Sequence, residues 1–156
     1  MNNASHKLRC LLVDDEPHAL IVLKTHIQSV PFLELVGECN HALSAFEFCQ
    51  KSQVDLIFLD IQMPQLTGLE FIKSLSHPPP VIFTTAHRNF ALDGFELGAV
   101  DYLLKPISLD RFLKAVYRVT QQRQVETDEN YFPATERFLY FRAERKMIKV
   151  FLSEIL

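Results

Sequence analysis

The chain has 156 residues, 48% hydrophobic, 11% aromatic and 22% charged. That composition excludes disordered, collagenous and disulfide-framework classes and suits a globular domain that builds its own core. The formal net charge of −3 hides an asymmetry: residues 1–136 balance to −6 and residues 137–156 to +3, a change of sign that marks a change of module.

The elements follow in chain order. A strand is expected over Leu8–Val13, then a helix over about Pro17–Ser29 with Leu20, Leu23 and Ile27 on one face. A second strand is expected near Glu34–Cys39, and Ala42, Ala45, Phe46 and Cys49 stripe a second helix. Val54–Leu59 is a continuous apolar run broken only by Asp55, as for a strand covered on both faces. Leu69, Ile72 and Leu75 stripe a third helix, and Pro78, Pro79 and Pro80 close the connection after it. Val81–Thr84 is the fourth strand, about Asn89–Leu97 a weaker fourth helix, and Val100–Leu104 the fifth strand. The fifth helix is expected over about Leu109–Gln122, with Leu109, Phe112, Leu113, Val116 and Val119 facing inward. Five βα units with right-handed crossovers give an α/β fold: a flavodoxin-like, doubly wound, five-stranded parallel sheet of order 2-1-3-4-5 with five helices. Residues 7–122 form that domain, and 123–136, polar and without a period, read as a linker. Residues 137–156 form a short β-rich tail. Phe138–Arg142 and Met147–Leu152 are its strand-like runs, and Ala143–Lys146 is the turn of a hairpin that needs a partner surface.

The cysteines Cys10, Cys39 and Cys49 lie in apolar runs with no CxxC pair, so reduced thiols in a cytoplasmic setting are expected. No apolar run approaches 18 residues and MNNASHKLRC lacks a signal-peptide core, so neither a membrane span nor secretion is expected.

The chemistry gathers at strand ends. Asp14 and Asp15 follow the first strand and Asp60 the third, which are neighbours in this order, so three carboxylates converge. Like charges packed together need a cation, and a hard divalent ion with oxygen ligands supplies it. Thr85 follows the fourth strand and Lys105 the fifth; a hydroxyl and an ammonium there suit a phosphoryl group carried by Asp60.

LLVDDE (11–16), LIFLDIQMPQLTG (56–68), VIFTTAH (81–87) and VDYLLKP (100–106) together resemble the receiver domain of bacterial two-component response regulators. The resemblance implies that Asp60 is the phosphoacceptor for a sensor histidine kinase. Mg2+ (or Mn2+) would be held by Asp15, Asp60 and the backbone carbonyl of Gln62, with Asp14 acting through water. It makes Lys105 and Thr85 the phosphoryl-binding side chains and gives Gln62 and Ala86 phosphoryl-facing amides. Thr85, Tyr102 and Pro106 become switch positions, the last after a cis bond. Gln62 and His87 fall where the family tunes hydrolysis, and Met63, Pro64 and Gly68 fit the loop after the acceptor, with Gly68 suited to a positive φ. The family further implies a homodimer through the face of the fourth helix, fifth strand and fifth helix.

RFLYFRAERKMIKVFLSEIL (137–156) resembles the opening strands of a LytTR-type (LytR/AlgR-like) DNA-binding domain. DNA would then be bound only by a longer protein carrying the whole domain, and the pattern stopping at Ile155-Leu156 agrees with one. Three other classes fit less well. A haloacid-dehalogenase-type phosphatase wants a second aspartate where Gln62 stands, and a flavodoxin-like cofactor binder would meet repulsion from Asp14, Asp15 and Glu16. A dimerisation module with a dead site does not need the intact acid set.

Overall fold

The computed structural model describes residues 7–88, 98–128, 138–143 and 146–151. Five strands, β1 (Leu8–Val13), β2 (Leu33–Cys39), β3 (Leu56–Asp60), β4 (Val81–Thr85) and β5 (Asp101–Leu104), form one sheet of order β2-β1-β3-β4-β5. Every pairing in it is parallel, so each crossover must pass over a face, and helices cover both. Those helices are α1 (Pro17–Gln28), α2 (Ala42–Lys51), α3 (Gly68–Ser74) and α4 (Leu109–Asp128). Among the described residues there are four helices rather than five; the helix expected over Asn89–Leu97 lies outside them.

Strand alternation divides the core into two layers. Leu12, Phe58, Ile82 and Leu103 pack with Leu23 and Ile27 of α1 and Phe112, Ala115, Val116 and Val119 of α4. Val13, Leu59 and Phe83 pack with Ala42 and Ala45 of α2 and Phe71 and Ile72 of α3. Local chemistry starts the helices. Pro17 stands in the first turn of α1, His41 Nδ1 accepts the Ser44 amide at 3.1 Å, and Thr67 Oγ1 accepts the Glu70 amide at 3.2 Å. The histidine cap was not foreseen, because histidine is not among the preferred capping types.

Several expectations need correction. Leu109 and Leu113 are 43% and 42% exposed, and Phe46 of α2 is 36% exposed. Ala42, Ala45, Phe112, Val116 and Val119 are buried as expected, and Ala115 joins them. Val54 and Asp55 precede β3; the Asp55 carboxylate instead accepts the Arg9 amide at 2.9 Å. Asp60 and Thr85 are the last residues of their strands rather than the first beyond them. The helix α4 runs to Asp128, six residues into the stretch expected as linker, because RQVETD holds no proline or glycine to stop it.

Chain contacts divide the protein into two compact units, one ending at Val119 and one beginning at Thr120. The second unit contains an antiparallel hairpin of β6 (Phe138–Ala143) and β7 (Lys146–Phe151), paired from Phe138 with Phe151 to Ala143 with Lys146. No helix among the described residues is long and apolar enough to cross a membrane.

Candidate functional site

The carboxyl ends of β1, β3, β4 and β5 bring the site together. Asp14 follows β1 and is fully buried; its backbone amide donates to Cys39 O at 3.0 Å, extending the β1–β2 ladder by one bond. Its Oδ1 accepts the Glu16 amide at 2.9 Å, and its Oδ2 faces the Lys105 ammonium at 2.8 Å and takes no other partner among the described residues. Asp60 is 3% exposed, and its Oδ1 lies 3.7 Å from Lys105 Nζ and 3.4 Å from the Gln62 amide. Asp15 is exposed. One oxygen from each of Asp14, Asp15 and Asp60 lies within 4.8 Å of the others.

Charge is unbalanced here. One ammonium faces Asp14 and Asp60, with exposed Glu16 at 3.7 Å as a further acid that sequence reading assigned no role. Burial, then the charge of Asp14, push the Asp60 carboxyl up to about 7 against the pull of Lys105. Burial disfavours the Lys105 ammonium, but its bond to Asp14 and the charges of Asp60, Asp14 and Glu16 outweigh burial and raise its pKa. Three converging carboxylates with one ammonium between them are a donor set that fits a hard divalent cation. Asp15 also lines a shallow cleft of about 500 Å3 with Ile61, Gln62, Met63, Pro64, Thr67 and Leu69.

Thr85 is fully buried at the end of β4, and its Oγ1 accepts the His87 amide at 3.1 Å. Ala86 and His87 follow it and are exposed, as is Gln62. Tyr102 is half-buried against the α2 and α3 side of the core, and its hydroxyl donates to the His87 carbonyl. The peptide bond between Lys105 and Pro106 is cis.

Gly68 has a different purpose from the one expected. The positive φ in this loop belongs to Gln65, at 72°. A Cβ on Gly68 would lie 2.3 Å from the Asp60 carbonyl oxygen, and the Gly68 amide donates to Ile61 O at 2.9 Å. Glycine thus lets the start of α3 sit directly against the backbone that carries Asp60.

Sequence reading also missed Asp101, 1% exposed, which takes Arg111 at 2.8 Å through both oxygens and Arg118 at 3.0 Å. Arginines seven residues apart lie on one face of a helix, which was the available signal. The cluster ties the start of β5, and so the strand that leads to Lys105, to α4.

Comparison with known proteins agrees with this geometry. The family model for the response regulator receiver domain matches residues 10–117. The chain is 40% identical over 136 residues to the transcriptional regulatory protein BtsR of Salmonella typhi, covering 86% of this chain and 56% of that protein. It is 39% identical, with the same coverage, to BtsR of Escherichia coli K12. The chain thus spans about half the length of the curated relatives it matches. Among solved structures, the response regulatory domain of protein mrkE from Klebsiella pneumoniae superposes with a TM-score of 0.69 at 32% identity, covering 76% of this chain and 99% of that one. The response regulator domain of Thermotoga maritima CheB gives 0.63 at 31%, covering 78% and 98%. With its sheet order, its acidic strand ends and a match over most of the first unit, the chain belongs to the response regulator receiver domain family.

Proposed function

We propose that this receiver works in the cytoplasm and accepts a phosphoryl group on Asp60 from a phosphohistidine of a sensor histidine kinase. The observation that carries the reading is the buried Asp60 carboxylate, set among Asp14, Asp15 and the Lys105 ammonium. Asp15, Asp60 and the Gln62 carbonyl would hold Mg2+ (or Mn2+), with Asp14 acting through water. When bound, the cation neutralises charge on the transferring phosphoryl oxygens. An Asp60 oxygen attacks phosphorus in line, the P–N bond to the histidine breaks as the P–O bond forms, and the imidazole leaves with its electron pair. Lys105 moves its ammonium from the acids to a phosphoryl oxygen. Thr85 donates its hydroxyl to the same group, and the amides of Gln62 and Ala86 add two further donors.

The switch follows from the same contacts. Phosphorylation adds roughly −1.5 to −2 charges at Asp60. Thr85 releases the His87 amide as it turns toward them, and Tyr102, which donates to the His87 carbonyl, is freed to repack. Repacking of Tyr102 changes the face expected to carry a homodimer, formed by the expected fourth helix, β5 and α4. Pro106 is the third switch position. The domain acts as a signalling device that catalyses its own phosphorylation and dephosphorylation.

We further propose that residues 7–122 are the receiver and that residues 137–156 open a LytTR-type DNA-binding domain of a longer transcription regulator. Supporting this are the β6–β7 hairpin, the basic +3 balance of residues 137–156 and relatives named as transcriptional regulators. Incubation with radiolabelled acetyl phosphate tests the first reading: label requires Mg2+ and disappears in Asp60→Asn. A folded wild type that takes no label in Mg2+ refutes it. A chain extended beyond Leu156 tests the second. It should bind DNA with an affinity that falls steeply with salt, and salt-insensitive or absent binding refutes it.

A further inference from the structure

The four strand ends around the site share the α1 and α4 face of the sheet. Leu12, Phe58, Ile82 and Leu103 share the core layer on that face, and the residue two positions further on each strand points the same way. Those residues are Asp14, Asp60, Thr84 and Lys105, and because Thr84 pairs with Leu103, Lys105 stands one step of the alternation beyond the other three. The first, second and fourth are the charged members of the site. Thr84 is the third, standing in register between Asp60 on β3 and Leu103 on β5. Thr85, on the opposite side of the alternation, is the hydroxyl the proposed mechanism already uses.

Thr84 is anomalous there. It is fully buried, and its Oγ1 finds no hydrogen-bond partner among the described residues. A buried unpaired hydroxyl is destabilising, and valine has the same shape without it. Strand propensity therefore explains a β-branched residue at this position but not a threonine.

The path of Lys105 supplies a reason. Lys105 follows β5 and Asp14 follows β1, with β4 and β3 lying between them in the sheet. The ammonium nevertheless reaches Asp14 Oδ2 at 2.8 Å. Its side chain must therefore cross the end of β4 on the face where Thr84 stands. Any withdrawal of the ammonium from Asp14 toward Asp60, now 3.7 Å away, carries it back toward that hydroxyl.

We propose that Thr84 is a positioning residue for Lys105: its hydroxyl oxygen accepts an N–H of the ammonium when that group leaves Asp14 for the group carried by Asp60. The inference rests on the phospho-acceptor reading. In the resting protein the hydroxyl is idle and costs stability; in the phosphoryl-transfer step it fixes one of the three ammonium protons and so aims the others.

The test compares Thr84→Val and Thr84→Ser with wild type in three measurements. In EDTA, thermal unfolding of Thr84→Val should match or exceed wild type. With Mg2+ and acetyl phosphate, its labelling rate at saturating donor should fall roughly tenfold, the size expected for one hydrogen bond to a charged group. Its KM for acetyl phosphate should be unchanged, because the hydroxyl does not touch the donor. Thr84→Ser, which keeps the hydroxyl, should restore the rate. Labelling of Thr84→Val at the wild-type rate overturns the proposal and leaves the hydroxyl to a buried water. Loss of stability in Thr84→Val together with slow labelling overturns it in favour of a structural role. Absence of label on folded wild type overturns the phospho-acceptor reading itself, an outcome distinct from a defect confined to Thr84→Val.

Discussion

Replacing Asp60 with asparagine should make the metal-free protein more stable, not less. The folded environment raises the Asp60 carboxyl from 3.8 to about 7, through burial first and the Asp14 charge second. Its neutral form is therefore the one the fold prefers. Below about pH 4 the group is protonated in folded and unfolded chains alike, and its full contribution is present. Between about pH 4 and about pH 7 the unfolded chain ionises while the folded one resists, so stability falls as pH rises. A rise of about three pKa units corresponds to about 4 kcal/mol at most. Asp60→Asn removes the ionisation and keeps the shape. In EDTA at about pH 8 the variant should gain between about 2 and about 4 kcal/mol, or roughly 6–12 °C in Tm for a chain of this size. Near about pH 4 the two proteins should nearly coincide. Mg2+ should stabilise wild type and act weakly on the variant, since binding to the folded state alone raises stability. The assay is thermal or urea unfolding across pH, with and without Mg2+, read as the difference between the two proteins so that titrating groups remote from the site cancel. A variant less stable than wild type at about pH 8 in EDTA, or a difference independent of pH, refutes the reasoning.

Gly68→Ala places a methyl group 2.3 Å from the Asp60 carbonyl oxygen and should cost about 1–3 kcal/mol in urea unfolding. It should also slow Asp60 labelling, because α3 must retreat from the strand end. Substituting both Arg111 and Arg118 by alanine strands the buried Asp101 carboxylate. That should cost about 3–5 kcal/mol, more than Asp101→Asn, which removes the charge itself. The Cys10 thiol is pushed up to about 12 by burial and by Asp55. A disulfide reagent at about pH 8 should therefore modify it only on unfolding, while half-buried Cys49 reacts first in the native protein. Quantified thiol release over time checks this order.

The sequence made the centre of the sheet legible because β3 and β4 are apolar on both faces and end on polar residues. Leu56–Asp60 and Val81–Thr85 are buried throughout, and such runs fix strand position within a residue or two. The acids were legible because strand order alone brings Asp14, Asp15 and Asp60 together. What escaped needed three dimensions. Periodicity placed Phe112, Val116 and Val119 inward, where they are buried, but also Leu109 and Leu113, which are exposed, while Ala115 joins the buried stripe unforeseen. Gly68 and Gln65 show the same limit for turns: a glycine in a loop announces freedom, yet here it marks a close approach while glutamine takes the left-handed conformation. Asp101 looked like one more polar strand residue until both arginines closed on it. Thr84 lay beside Thr85 in the motif and differs from it only in which face of β4 it occupies.

The central claim is that Asp60 carries an acyl phosphate formed with the help of a bound cation and Lys105. Borohydride reduction tests it directly, since it converts an aspartyl phosphate to homoserine at the modified position. After incubation with acetyl phosphate and Mg2+, peptide mass spectrometry should find homoserine at position 60. It should be absent with EDTA, reduced strongly in Lys105→Met and missing in Asp60→Asn. Homoserine at Asp14 or Asp15, or none in a protein shown to be folded, would contradict the account.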